Sequence, residues 1–499
     1  MPSGRKLRWL IGGLIVAFWS VMVGLLLHRE LEWRGRPAAG AEVARLDATE
    51  TWYAISTAAG QALGFAHLTS GSEERLGRSG KAVRLDARLR LRAFGTLQEL
   101  EMDGAIWREP ETPRAEIAGR VRSGGHEVRL AGVVAGGELR ATLSTGGERL
   151  PLRLALDPAI LGEQPARLPL AIAHLGEGEE TTIRAFDPVT LRPGEVQLRG
   201  LGTQPFRFGS ETITANVVAV HGGAGGLKAW IAPDGDVLQA ETPFGLTLRK
   251  VTREQALAAS RGTGAGDLAA SLLIRPRGQM PFRAATRMVA LVTGLAAGQQ
   301  LPIDDSQKLQ APGRYVVFPA PVGSLAGNPP RPASPPPAEL TACLASDALV
   351  QSDHPRIRGQ AERIVGNEAD PWWRALLIYD WVYRNIAKRP VASLPSALDV
   401  LASREGDCNE HAVLYTALAR AAGLPARIAV GLTWSEELGG FGYHAWPEVF
   451  VGRWVWVDPT LGQPVADATH LKLLAGGMES WPQLLSYLGQ LQIEVLEVE

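Results

Sequence analysis

The sequence predicts an α+β protein with antiparallel β-rich domains first, a helix-and-strand domain last, and one N-terminal transmembrane helix. Three observations carry this. From residue 51 onward, apolar and polar residues alternate with a period of two; beyond residue 355 the apolar spacing becomes helical; and Trp9 to Leu27 is an uncharged apolar run. At 499 residues the chain exceeds one core, so three or four domains are expected. A formal net charge of −1 with 21% charged residues gives no electrostatic reason to expect nucleic acid as a partner.

Arg5, Lys6 and Arg8, in a cytoplasmic tail at 1–8, precede the apolar run. The run ends in Leu25-Leu26-Leu27-His28-Arg29 without a small-residue cleavage motif, so residues 9–28 read as a retained anchor rather than a cleaved signal. Arg29, Arg34 and Arg36 balance the cations before the span, and the positive-inside rule barely decides orientation. An N-terminal anchor usually exports the chain beyond it. The expectation is therefore a single pass through the inner (cytoplasmic) membrane with the body in the periplasm. A buried helix in a soluble protein is the alternative. Residues 29–48 read as a tether.

Residues 49–155 read as one β-rich domain. Val83, Leu85, Ala87, Leu89, Leu91 and Ala93 alternate with Arg84, Asp86, Arg88, Arg90 and Arg92, which gives one buried and one wet face rather than a basic patch. Tyr53 to His67 forms a hairpin around Ala59-Gly60, and further turns fall at Gly124-Gly125, Gly136-Gly137 and Gly146-Gly147. A second β-rich domain spans 156–261 and closes on Thr252-Arg253-Glu254-Gln255, a capping box opening a short helix. A third β-rich segment covers 262–326. Six prolines between Pro329 and Pro337 mark residues 327–338 as a stiff linker and the main domain boundary.

Residues 339–499 are the last domain. Pro355 to Val365 reads as a helix capped near Asp353 and stopped at Gly366-Asn367. Asp370-Pro371 opens another, with Trp373, Leu376, Leu377, Trp381 and Ile386 toward the core. A short helix covers 395–402, and a longer one runs from about Cys408 to Ala422, ended by Gly423-Leu424-Pro425. Strands are expected at 427–434, 445–451 and 453–457.

Cys408, His444 and Asp458 are the candidate catalytic residues. A cysteine in the first turn of a helix meets unpaired N–H groups that favour an anion, which predicts a lowered thiol pKa. Gly406 would let backbone approach a substrate, and Asp407 is adverse beside a thiolate. A three-residue hairpin loop at Phe450-Val451-Gly452 sets residue 449 opposite 453 and His444 opposite Asp458, on one face. Asp458 then accepts the Nδ1 proton of His444 and leaves Nε2 for the thiol. Trp446, Trp454 and Trp456 flank the pair on that face. Cys343 reads as a small buried free thiol, with no disulfide expected.

The words Gly406-Asp407-Cys408, Ala417 to Arg427, His444-Ala445-Trp446 and Trp456-Val457-Asp458-Pro459-Thr460 resemble the transglutaminase-like superfamily of papain-type folds, over roughly residues 351–494. The resemblance implies Cys408 as nucleophile, His444 as base, Asp458 as orienter, and a thioester mechanism but no substrate; the expected reaction is acyl transfer or hydrolysis at protein or peptide amides. The Cys408 backbone N–H is one expected oxyanion donor. Protease, deamidase and transglutaminase are not separable from these residues, and no calcium loop or other cofactor site is expected.

Two other classes stay open. Cys408, His411, His444 and Asp458 could ligate zinc, though the C-x-x-H spacing lacks a second such pair. The protein could also be a non-catalytic exported binding or scaffold module. His470, in Asp467-Ala468-Thr469-His470, is a weaker site candidate for which a structural hydrogen bond is the expected role.

Overall fold

The computed structural model describes residues 49–499 apart from 94–95, 110–111, 113, 124–125, 146–147, 156–172, 188–191, 222–226, 243–244, 262–272, 296–297, 322–337, 348, 390–395, 477–486 and 488. The expected tail, membrane span 9–28 and tether lie outside the described residues, as do two of the glycine-pair turns and nearly all of the proline-rich stretch. No helix among the described residues is long and apolar enough to cross a membrane. The chain divides into two compact units, with the boundary at Ser271/Leu272.

The first unit is a single antiparallel sheet of fourteen strands. In chain order these are β1 (Thr49–Thr57), β2 (Ala62–Arg75), β3 (Arg78–Ala93), β4 (Thr96–Arg108), β5 (Ala115–Ser123), β6 (His126–Ala135) and β7 (Glu138–Thr145). The rest are β8 (Glu148–Ala155), β9 (Glu180–Asp187), β10 (Arg192–Phe208), β11 (Glu211–His221), β12 (Leu227–Ile231), β13 (Val237–Glu241) and β14 (Leu246–Val251). Sequence neighbours pair except for β8 and β9, which form the two edges, and β1 also pairs with β14, placing Trp52 opposite Val251. That one long-range ladder corrects the expected division into domains 49–155 and 156–261, because both stretches contribute to the same sheet. On β3, Leu85, Ala87 and Leu89 are buried, while Arg84 and Arg88 are exposed and pair with Glu73 and Glu101. The Gly136-Gly137 turn has φ of 59° and 77°, the left-handed pair that a two-residue hairpin needs. Helix α1 (Arg253–Ala259) opens on the expected Thr252 capping box.

The second unit starts with β15 (Arg277–Gly278), β16 (Met288–Thr293), β17 (Gln307–Ala311) and β18 (Arg314–Val317). Helices α2 (Ala338–Ala342), α3 (Pro355–Val365) and α4 (Pro371–Asn385) come next, then β19 (Ala387–Lys388), α5 (Ala397–Ser403), β20 (Glu405–Gly406) and α6 (Cys408–Ala421). It ends with β21 (Ala426–Ser435), β22 (Gly440–Phe450), β23 (Trp454–Trp456), β24 (His470–Gly476) and β25 (Gln492–Val498). One sheet has the order β15-β25-β16-β18-β17 and another β23-β22-β21-β24. Since β25 pairs with β15 and β16, the third β-rich segment belongs with the last domain. The compact units therefore do not divide at 327–338. Gln307 stitches the same segment inward: its side chain donates to the Lys472 carbonyl at 2.9 Å and accepts the Lys472 N–H at 2.8 Å.

Two helix details differ from expectation. His354, not Asp353, caps α3, its Nδ1 accepting from Arg356 N–H at 3.2 Å. On α4 the Asp370 cap and Pro371 are as expected, but the buried stripe is Trp372, Ala375, Ile378 and Val382, leaving Trp373 49% and Leu377 40% exposed. Adjacent tryptophans leave the helical face ambiguous by one position, and packing selects the other one.

Helix α6 is buried from Cys408 to Ala419. A helix buried on nearly every side is a core element, and it packs against β21, β22 and helices α3, α4 and α5. Behind the site, Gly431 lets β24 approach β21 at a register shift between Val430 and Gly431. A Cβ there would lie 2.1 Å from the Leu471 carbonyl oxygen and 2.8 Å from the Trp446 ring. Gly431→Ala is expected to cost about 1–3 kcal/mol through forced overpacking, measured as a lower urea midpoint for the full chain.

Candidate active site

Cys408 is the first residue of α6 because Asp407 caps the helix. The Asp407 side chain accepts Asn409 N–H at 3.0 Å, and Glu410 reaches back to accept Asp407 N–H at 2.8 Å. This D-x-x-E capping box is written in the sequence, behind the more obvious charge of Asp407. Gly406 has a packing reason: a Cβ would lie 2.1 Å from the Glu410 Cβ.

The structure sets Cys408 beside β22. The backbone N–H of Ala445, next to His444, is directed to the Cys408 sulfur and favours its anion. Burial, then the Asp407 carboxylate, outweigh this, and the thiol pKa is raised well above its ordinary value. The expected lowering by the helix terminus is thus overturned. The terminus is fully enclosed and carries two acids, and at rest the sulfur keeps its proton. Glu410 is likewise raised well above the carboxylate range, by burial and by Asp407.

His444 and Asp458 meet as expected, through a different register. Val449 faces Val455 and Glu448 faces Trp456, so the loop is Val451-Gly452-Arg453. The slip from the expected pairing is two residues. An even slip keeps every side chain on its face, so His444 and Asp458 still share one. Asp458 lies beyond the end of β23 and reaches back: His444 Nε2 donates to Asp458 Oδ2 at 2.7 Å. The ring is therefore turned from the expected orientation. Nε2, not Nδ1, engages the carboxylate, and Nδ1 is the nitrogen on the opposite side. Trp446 stacks on His444 with centroids 6.1 Å apart and packs against Trp456 at 5.4 Å with the rings tilted by 52°. Trp454 instead packs under Arg427.

Asp458 is saturated with donors. Oδ1 accepts Thr460 N–H at 2.9 Å and Leu461 N–H at 2.8 Å, and Oδ2 also accepts His470 Nε2 at 3.1 Å. Burial would raise this carboxyl, but His444 and His470 hold it well below the usual range. His470 therefore belongs to the site more closely than its sequence signal suggested. That signal was its place three residues after Asp467, whose carboxylate it also meets at 3.3 Å.

The zinc alternative is not assembled as expected. His411 Nδ1 sits 2.5 Å from the Asp407 carbonyl, and burial pushes its pKa down to about 4. Among the described residues, the His, Cys, Asp or Glu group with ligand atoms within 4.8 Å of one another is His444, Asp458 and His470, without Cys408 or His411. Bonds of about 2.0–2.1 Å to a tetrahedral zinc would hold neighbouring ligand atoms about 3.3 Å apart. The 2.7 Å contact is a hydrogen bond.

Residues 358–459 match the family model of the transglutaminase-like superfamily, so the C-terminal unit carries a transglutaminase-like domain. No curated protein matches the chain. Among solved structures, a candidate cysteine protease from Cytophaga hutchinsonii is 19% identical, covering 46% of this chain and 83% of that one, with a TM-score of 0.29. The periplasmic domain of TgpA from Pseudomonas aeruginosa, bound to ethylmercury, is 22% identical over 30% of this chain and 55% of that one, with a TM-score of 0.22. A β-barrel-like protein from Brucella abortus is 11% identical over 42% of this chain and 96% of that one, with a TM-score of 0.29.

Proposed function

We propose that the chain is a cysteine acyl-transfer enzyme acting on protein or peptide amides. The observation that supports this most directly is the placement of the Cys408 sulfur against Ala445, beside a histidine whose far nitrogen is bonded to a buried aspartate. His444 Nδ1 takes the thiol proton as sulfur attacks the amide carbonyl. The tetrahedral adduct collapses with breakage of the C–N bond, and His444 returns the proton to the leaving amine. Water or a second amine then attacks the thioester, gives its proton to His444, and releases Cys408. The apolar run at 9–27 supports an inner-membrane anchor, and the periplasmic placement of this domain rests on the usual export of the chain beyond such an anchor.

The test is to incubate the full-length protein, in detergent, with a labelled primary amine and a glutamine-rich protein. Incorporated label means transglutaminase chemistry, chain cleavage means peptidase, and ammonia release without label means deamidase. Any of these must vanish in Cys408→Ser. Complete burial of both Cys408 and His444 favours a second reading, a non-catalytic binding module of the same fold. Iodoacetamide at pH 6 separates the two: label on Cys408 that depends on His444 supports the enzyme, and an inert Cys408 supports the module.

A further inference from the structure

Two imidazoles converge on one carboxylate oxygen. Asp458 Oδ2 meets His444 Nε2 at 2.7 Å and His470 Nε2 at 3.1 Å, with ring centroids 5.8 Å apart, and all three side chains are fully buried. The second nitrogen of His470 faces Asp467, whose Oδ1 is 3.3 Å and carbonyl oxygen 3.2 Å away. Asp467 is itself pinned. Its Oδ1 accepts Thr469 N–H and O–H, and its Oδ2 accepts Ala284 N–H at 3.0 Å and Gln463 Nε2 at 2.6 Å. Gln463 also exchanges both backbone hydrogen bonds with Asp458. The segment from Asp458 to His470 thus closes on itself around the two carboxylates.

The reaction proposed above uses His444 and Asp458 and gives His470 and Asp467 no part. We propose that His470, held by Asp467, is a positioning residue: it fixes Asp458 Oδ2 and, as a cation between two carboxylates, offsets the charge that Asp458 presents to His444. This rests on the acyl-transfer reading. A buried carboxylate with no other counter-charge biases a bonded imidazole toward its protonated form, which is a poor acceptor for a thiol proton. A second cation on the same oxygen opposes that bias by like-charge repulsion across 5.8 Å. Burial would discharge His470, but Asp458 and Asp467 outweigh it and raise its pKa. Other titratable groups feeling this carboxylate are Cys408 and His411 on α6 and Tyr379 on α4. Asp407 and Glu410 act on Cys408 from the same helix terminus, and Lys388 acts on His411. Lys472, two residues along β24, is occupied by Asp304 and Glu448.

The experiment is histidine ¹⁵N NMR on the full-length protein in a Cys343→Ser background, with Cys408 alkylation measured against pH on the same samples. At pH 7 both His470 nitrogens are expected to carry protons. His470→Gln retains a donor toward Asp458 and removes the charge. In it, the His444 titration midpoint is expected to rise by about one unit or more, and the pH profile of Cys408 alkylation should move with it. A single neutral tautomer of His470 in the unsubstituted protein overturns the proposal, as does a His444 midpoint within a few tenths of a unit of the parent in His470→Gln. If that variant does not fold, the protonation of His470 in the parent protein decides alone. Nitrogen shifts do not depend on turnover. A protein whose Cys408 alkylation ignores His444 would refute the enzymatic reading while leaving the measured charge coupling intact.

Discussion

His444→Gln is expected to slow both amide turnover and iodoacetamide alkylation of Cys408 by about 10²–10⁴-fold, the range for losing a positioned general base. Glutamine offers an N–H donor to Asp458 but no basic nitrogen. The size of the effect comes from the state of the sulfur. Burial, with Asp407 next in weight, raises the Cys408 pKa well above its ordinary value, so a thiolate is scarce at pH 7 unless a base removes the proton. Alkylation rates over pH 5–9 in a Cys343→Ser background, with melting temperature as the control for folding, provide the measurement. An unchanged alkylation rate in a folded His444→Gln protein would mean that the imidazole does not activate the sulfur.

The parts of this site that local chemistry encodes were readable from the sequence. Asp370-Pro371 and the Thr252 capping box fix helix starts through groups within three residues, and both stand where expected. The union of His444 with Asp458 was readable for a subtler reason: the pattern assigns faces, and a two-residue slip preserves them. The ring orientation was not readable, because it depends on Asp458 lying past the end of β23. Long-range ladders were invisible for the same kind of reason. Nothing near Thr49 indicates pairing with Val251's strand, and nothing near Gln492 indicates pairing with Met288's, so the domain boundaries inferred from composition fell in the wrong places. The thiol pKa went astray because helix position was legible while enclosure and the folded-back Glu410 were not.

Asp458→Asn is expected to destabilise the C-terminal unit by about 3–5 kcal/mol, the cost of removing one partner from a buried charged pair. It should also reduce turnover by on the order of 10⁴-fold through loss of the oriented tautomer. An asparagine oxygen can still accept Thr460 and Leu461 N–H, but its NH₂ then faces two imidazole nitrogens that donated to Oδ2. Both donors then lose their acceptor unless a ring turns or changes tautomer. The pH dependence has a definite sign. Asp458 is depressed in the fold, so its stabilisation is fully present above the unfolded carboxyl value of about 3.9 and is lost as pH falls through the folded value. The gap in unfolding free energy between parent and variant should therefore be widest near neutrality and close in strong acid. Urea titrations at pH 7 and pH 3 measure it. A gap that does not shrink in acid would mean that Asp458 acts through shape alone, and the ionised link between His444 and His470 would be lost with it.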